Sequence, residues 1–167
     1  ARPGSATSTI TFNPQPAMEI PGFVSDVIRS KSPDLFTISA EESVFQAISM
    51  MAENNIGALL VMKGRKLRGI ISERDYTRKV ILKGRSSKKI TVGEIMTPKL
   101  VCVSPENTIG EALRLITGER VRHLPVLEGE RLMGILSVGD LAKWVISAQD
   151  AVLSQMESYV TSGGYPG

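Results

Sequence analysis

Two seven-residue stretches carry side chains whose types and spacing suit ligand chemistry. They are "GIISERD", Gly69 to Asp75, and "GILSVGD", Gly134 to Asp140. Each runs Gly, two apolar residues, Ser, two variable residues, Asp. The hydroxyls of Ser72 and Ser137 each donate one hydrogen bond, to phosphate or sugar. The carboxylates of Asp75 and Asp140 each offer two acceptors, which suits the adjacent hydroxyls of a ribose. Where a strand ends at the Ser and a helix begins, free backbone N–H groups favour an anion. Gly69 and Gly134 remove side chains where a flat base approaches the backbone. The same frame also reads as local structure with no ligand. A Ser that opens a helix with an acid three residues on is a capping box, worth about 1 kcal/mol per helix. The acid also suits the positive helix end.

The frame occurs twice because the chain repeats, and a fixed period marks a repeat architecture. Shifted by 65 positions, residues 36–81 lie over 101–146 without a gap. Ser39/Ser104, Ala47/Ala112, Val61/Val126, Gly64/Gly129, Ser72/Ser137 and Asp75/Asp140 are among the identical pairs. In each copy a short apolar alternation, "LFTIS" or "LVCVS", reads as a strand. Val44, Ala47, Ile48, Met51 and Ala52 then fall at helical spacing, as do Ile109, Ala112, Leu113 and Ile116. "ALLVM" and "HLPVL" read as buried strands. "KGRK" and "EGER" are tight turns at Gly64 and Gly129, and "LRGIIS" and "LMGILS" are the hairpin partners. A second helix follows, from about Glu73 to Leu82 and from about Val138 to Ser147. The fold class is α/β (α+β), with two tandem β-α-β-β-α units.

A unit of roughly 60 residues buries too little surface to stand comfortably alone. The two sheets are therefore expected to pack together about a pseudo-two-fold axis. The expected organisation is a disordered tail at 1–22, a first unit at 23–84, a linker at 85–91, a second unit at 92–148, and a C-terminal helix and tail at 149–167. The tail is rich in Pro, Ser and Thr, and its one Arg makes it only a faint targeting composition. "VSDVI" and "VGEIM" are short helical lead-ins to each copy. Trp144, Met50, Met51 and Met96 read as core or interface.

Composition removes several function classes. The one cysteine, Cys102, excludes an internal disulfide and a four-thiolate metal site. No run approaches the roughly 18 apolar residues of a membrane span. There is no H-E-x-x-H, C-x-x-C or G-x-G-x-x-G, and Ile70 stands where a phosphate-loop Lys is required. Nothing visible would transform a bound molecule, so no enzyme and no metal are expected. Net charge is +3, but eleven Lys/Arg against two acids lie between Lys63 and Lys89. Such a run is usually a solvated face. Only Tyr76 interrupts it as an aromatic, which argues against nucleic acid.

The tandem units with "GIISERD" and "GILSVGD" resemble a pair of CBS domains, the Bateman module. "NNIGALLV", "ERDYTRKV", "KGRSSK", "VGEIMTP", "VRHLPVL" and "VGDLAKWVI" add to the likeness, which covers about Phe23 to Ser147. Together they resemble the small stand-alone CBS-pair proteins of bacteria and plant organelles. That resemblance implies a non-catalytic sensor of adenosine compounds: AMP, ADP or ATP first, then NAD(H), with S-adenosylmethionine open. It directs Ser72 with Asp75, and Ser137 with Asp140, to ribose and phosphate. The base would lie against backbone at Thr37 and Ile38 or Cys102 and Val103, and at Ala58 and Leu59 or Leu124 and Pro125. Arg122 and His123, and on the other copy Arg74 and Arg78, are the basic groups for phosphate. Arg122-His123 aligns with Gly57-Ala58, Arg74 with Gly139 and Arg78 with Lys143, so the two clefts are not expected to be equivalent. The resemblance further implies a homodimer of two pairs in a disk, an effector protein, and a cytoplasmic or organelle-matrix location. The competing reading is a dimeric scaffold with vestigial pockets.

Overall fold

The computed structural model of the protein describes residues 19–162, with side chains as far as Ser158. In chain order the elements are α1 (Val24–Ser30), β1 (Thr37–Ser39), α2 (Val44–Asn54), β2 (Ala58–Lys63), β3 (Lys66–Ser72), α3 (Glu73–Tyr76), α4 (Val92–Ile95), α5 (Ile109–Glu119), β4 (His123–Glu128), β5 (Arg131–Ser137) and α6 (Val138–Ser162). A π-helical turn, Thr77–Ile81, continues α3.

The helices between strands form where apolar spacing and caps agree. α2 buries Val44, Ala47 and Met51 along one stripe, and the Ser43 hydroxyl accepts from the Gln46 N–H at 3.1 Å. α5 buries Ile109, Ala112 and Ile116. Its capping box is complete: the Glu111 N–H donates to Thr108 Oγ1 at 3.1 Å, and the Thr108 N–H donates to the Glu111 carboxylate at 2.9 Å. Both helices end on a left-handed residue, Asn55 (φ 52°) and Arg120 (φ 54°), at equivalent positions of the repeat.

Strand β2 is buried from Ala58 to Val61, as befits the middle of a sheet covered on both faces. It pairs parallel with β1 (Ile38 opposite Val61) and antiparallel with β3 (Ala58 opposite Ser72). In the second repeat β4 pairs antiparallel with β5, His123 opposite Ser137. The bulges fall at the same place, after Val61 and after Val126. Register and irregularity therefore repeat along with the sequence.

Three expectations need correction. No strand forms at 100–104; a single parallel bridge, Val103 to Val126, takes its place. The Val103 N–H donates to the Pro125 carbonyl at 3.0 Å, and the Leu127 N–H donates to the Val103 carbonyl at 2.9 Å. The next bond of that ladder would need an N–H on residue 125, and proline has none. Second, the two second helices differ. In the first repeat the helix ends at Ile81 and the chain turns away through Gly84 (φ +63°), where the Arg85 N–H turns back to the Val80 carbonyl at 3.0 Å. Gln149 aligns with Gly84, and there α6 runs on without a break to Ser162. The expected separate C-terminal helix is the second half of α6, and its expected stop at Gly163-Gly164 lies outside the described residues.

The third correction concerns the lead-ins. α1 precedes the first repeat but packs on the second: Val24 and Val27 share a core with Val103, Ile109, Leu124, Leu136 and Leu141. α4 packs back on the first repeat, with Ile90, Val92 and Ile95 among Ile38, Val44, Leu59 and Ile71. The hydrogen bonds match pair for pair. Val24 N–H donates to Asn107 O and Val92 N–H to Glu42 O, both at 2.8 Å. Residues 20–22 are seated on the second unit as well. Ile20 packs on its core, and the Pro21 carbonyl accepts from Trp144 Nε1 at 2.8 Å. Residues 1–18 of the expected tail lie outside the described residues.

Candidate functional site

Both Ser-x-x-Asp corners sit where a strand ends and a helix begins, and both form the capping box. The Ser72 N–H and hydroxyl donate to Asp75 Oδ2 at 3.0 and 2.9 Å, and the Asp75 N–H returns to Ser72 Oγ at 3.3 Å. The Ser137 N–H donates to Asp140 Oδ2 at 2.8 Å, and the Asp140 N–H to Ser137 Oγ at 3.0 Å. The remaining bonds differ. Asp75 is only 8% exposed, and its Oδ1 takes Thr97 Oγ1 at 3.1 Å and Lys79 Nζ at 2.8 Å. Lys79 also donates to the Ile95 carbonyl at 2.8 Å, which ties the corner to α4. Asp140 is half-buried and takes Lys31 Nζ at 2.7 Å on Oδ2. Lys31 donates in addition to the Ile135 carbonyl at 2.8 Å. Burial works to raise the Asp140 carboxyl, but the hydrogen bonds from Lys31 and from the Ser137 N–H outweigh it, and its pKa lies below the ordinary value.

The glycines of the frame have a role other than the expected one. A Cβ at Gly69 would stand 2.7 Å from the Thr97 carbonyl oxygen and 2.9 Å from Met96 Sδ. One at Gly134 would stand 2.8 Å from Ile28 Cδ1. The space is already filled, by the segment that follows α4 at Gly69 and by Ile28 of α1 itself at Gly134, which leaves no room for a base on that side. In the first repeat that segment is held as an added edge: Ile70 and Thr97 exchange backbone bonds at 3.0 and 2.8 Å.

Two cavities open between the repeats. Cleft 1, about 670 Å³, is lined by Ser72, Arg74, Asp75 and Arg78 of the first repeat and by Arg122, His123 and Pro125 of the second. Cleft 2, about 730 Å³, is lined by Ser137, Asp140 and His123 of the second repeat and by Ala58 with Asn54 to Gly57 of the first, together with Lys31 and Phe36. Both fall in the range of about 300–1,000 Å³ usual for small-molecule sites. Of the sixteen residues singled out in the sequence, ten line one cleft or both. The other six, Thr37, Ile38, Leu59, Cys102, Val103 and Leu124, lie outside both linings.

 Ala58 lines cleft 2 with a methyl group that is otherwise buried, 7% exposed. Ile38, Leu59, Val103 and Leu124 are core side chains. Cys102 is a free, half-buried thiol whose pKa burial pushes up, so it is no activated nucleophile.

His123 lines both cavities. Burial pushes its pKa down, Asp140 works against that, and Lys31 and Arg122 add to it. Residues not singled out in the sequence also line the clefts: Lys79, Thr97, Lys99 and Arg120 in cleft 1, and Lys31, Phe36, Asn54 and Asn55 in cleft 2. Arg120 and Asn55 carried a signal, since they align in the repeat. Lys31 carried none, because it reaches Asp140 across 109 positions of chain. Of the basic run from Lys63 to Lys89, only Arg74, Arg78 and Lys79 face cleft 1. Among the described residues no cluster of His, Cys, Asp and Glu could hold a metal ion, and no helix is long and apolar enough to cross a membrane.

Duplicated strand–helix corners facing a shared seam define a paired module, and its family is clear from its relatives. The CBS domain family model matches residues 24–81 and 92–147, and the chain belongs to that family as a tandem pair. Over 165 residues it is 39% identical to the CBS domain-containing protein CBSX3, mitochondrial, of Arabidopsis thaliana, covering 90% of this chain and 80% of that one. A CBS-domain protein of Burkholderia ambifaria assigned to signal transduction superposes with a TM-score of 0.73 at 45% identity, over 75% of this chain and 95% of that one. A hexameric CBS-CP12 protein from bloom-forming cyanobacteria superposes with a TM-score of 0.64 at 25% identity, over 84% and 87%. The family is one of regulatory and signal-transduction modules.

Proposed function

We propose that this chain is a non-catalytic sensor that binds adenosine-containing ligands between its two repeats and relays their occupancy to a partner. AMP, ADP and ATP are the first candidates, followed by NAD(H). The observation that carries the reading is cleft 1, where Ser72 and Asp75 of one repeat and Arg122 and His123 of the other line one cavity. A ligand there touches both repeats and favours one relative arrangement of them. Differential affinity for two arrangements is what makes a signal. A micromolar ligand supplies about −8 kcal/mol, ample for such a shift.

Both motif carboxylates already accept from the protein, so a ribose must take the place of existing partners. At Asp75 these are Thr97 and Lys79, and at Asp140 the partner is Lys31. That exchange is a route from ligand to structure, because Thr97 and Lys79 hold α4 and Lys31 follows α1. It also favours the second reading, a scaffold whose corners are purely structural. Calorimetry with AMP and with NADH on the wild type, Asp75→Ala and Asp140→Ala separates the two. Binding that weakens in one mutant supports the sensor; heats unchanged in both mutants reject these sites.

Assembly belongs to the same reading. Ile81 and Ile146 occupy equivalent positions on the second helix of each repeat and stay 54% and 58% exposed, with Leu82 beside the first. Matched apolar positions of this kind suit a second copy, and a homodimer is the assembly we expect, with sedimentation as its test. The mitochondrial name of the Arabidopsis relative sets an organelle matrix beside the cytoplasm as the compartment.

A further inference from the structure

The two clefts carry opposite charge. Cleft 1 is lined by six cations, Arg74, Arg78, Lys79, Lys99, Arg120 and Arg122, against the carboxylates of Glu73 and Asp75. Cleft 2 is lined by one lysine, Lys31, against Asp34, Glu53 and Asp140. Internal pairing accounts for only part of the excess. Lys79 pairs with Asp75 at 2.8 Å and Lys99 with Glu119 at 3.0 Å. Among the described residues Arg74, Arg78, Arg120 and Arg122 make no ion pair. Two of these arginines come from each repeat. Like charges around one cavity repel, and a ligand of several negative charges removes that repulsion.

Arg120 adds an independent sign. It ends α5 in the left-handed conformation, φ 54°, and lines cleft 1. Its counterpart Asn55 ends α2 at φ 52° and lines cleft 2. Asparagine is one of the few residues that suits this position, and arginine is not. The backbone thus gains nothing from arginine here; the side chain is what the position supplies to the cavity.

We propose, resting on the adenosine reading above, that cleft 1 is a polyphosphate site that prefers a nucleoside di- or triphosphate to the monophosphate, and that cleft 2 excludes such ligands. The four unpaired guanidiniums provide planar, charge-assisted donors for phosphate oxygens from both repeats. A phosphate chain among them clamps one repeat to the other. Cleft 2, with three carboxylates and one lysine, takes an uncharged or cationic occupant or none. One polyphosphate binds per chain.

The test is titration calorimetry with adenosine, AMP, ATP and inorganic tripolyphosphate on the full chain, its Arg120→Asn and Arg122→Gln variants. The expected result is one ATP per chain, bound at least about tenfold more tightly than AMP, with an advantage that shrinks in high salt. Arg120→Asn is expected to weaken ATP and tripolyphosphate by about tenfold or more, to leave adenosine unchanged, and not to lower the melting temperature of the free protein, since asparagine fits the left-handed position. Arg122→Gln should act on the same ligands. Equal affinity for adenosine, AMP and ATP overturns the proposal while leaving the adenosine reading intact. Two ATP per chain, or ATP binding indifferent to both substitutions, overturns it as well. Tripolyphosphate that binds and responds to Arg120→Asn, with adenosine and AMP silent, upholds the polyphosphate site and defeats the adenosine reading. Silence of every probe defeats both.

Discussion

Asp75 and Asp140 hold the same position in the two repeats, yet they are fastened differently. Asp75 is buried, and both of its oxygens are engaged by neighbours from its own contiguous unit: Ser72, Lys79 and Thr97. Asp140 is more open and is held by Lys31, which enters from the far end of the chain. The glycines show the same contrast. Gly69 is pressed against the backbone of residue 97, whereas Gly134 meets only the tip of the Ile28 side chain. Identical motifs therefore give a stiff corner at cleft 1 and a more yielding one at cleft 2. The difference lies in what surrounds the motif, not in the motif.

The largest expected effect tests that contrast at the glycines. Gly69→Ala should cost about 2–3 kcal/mol in chemical denaturation, because a carbonyl oxygen in a paired edge cannot step aside. Gly134→Ala should cost about 1 kcal/mol or less, since a δ-methyl can change rotamer. Equal losses would remove the stiffness argument. Next come the carboxylates. Asp75→Ala loses a cap, leaves Thr97 Oγ1 without its acceptor and Lys79 with the Ile95 carbonyl alone, for about 2 kcal/mol. Asp140→Ala loses a cap and a part-exposed ion pair, for about 1 kcal/mol. A reversed order in the denaturation midpoints would mean that the link between Lys31 and Asp140 is the stronger of the two.

Lys31→Met should cost about 0.5–1 kcal/mol and should raise hydrogen exchange in α1 and β5 while leaving β2 and β3 as they were. Spread of the effect into the first unit would show that the two corners are not independent. The smallest effect is in pH. Burial holds the folded pKa of His123 below the roughly 6.5 of an exposed imidazole. The unfolded chain binds that proton first, so stability falls as pH drops below about 6.5 and through the folded value. His123→Gln should flatten the denaturation midpoint between about pH 7.5 and about pH 5.5. Asp140 has the same sign at lower pH. Its lowered pKa gives stability that is present above the ordinary carboxylate value of about 3.9 and lost as pH falls through its folded one.

Much of this arrangement was legible in local spacing. The repeat, the helices under Val44–Met51 and Ile109–Ile116, and both hairpins follow from residues a few positions apart. The capping box at Ser72–Asp75 and Ser137–Asp140 was legible too, and it formed in both copies. Three features escaped. The strand at 100–104 matched its counterpart in alternation, but its partner carries Pro125, and only pairing shows which N–H is missing. The helix after Val138 had no stop because Gln149 replaces Gly84, a difference easily passed over when the copies are aligned for likeness. The role of Gly69 and Gly134 was read toward a ligand, because the chain that fills their space comes from another part of the sequence.

What the sequence alone determined is everything governed by short-range periodicity: two copies of one unit, their strands and helices, their turns at Gly64 and Gly129, and the Ser–Asp caps. Backbone hydrogen bonds and apolar stripes act over three or four residues, so those residues suffice to specify them. Only the tertiary structure decided that α1 joins the second core, that Lys31 meets Asp140, and that four arginines from two repeats face one cavity. Those outcomes depend on which surfaces bury each other across about a hundred residues of chain, and no local pattern encodes that choice.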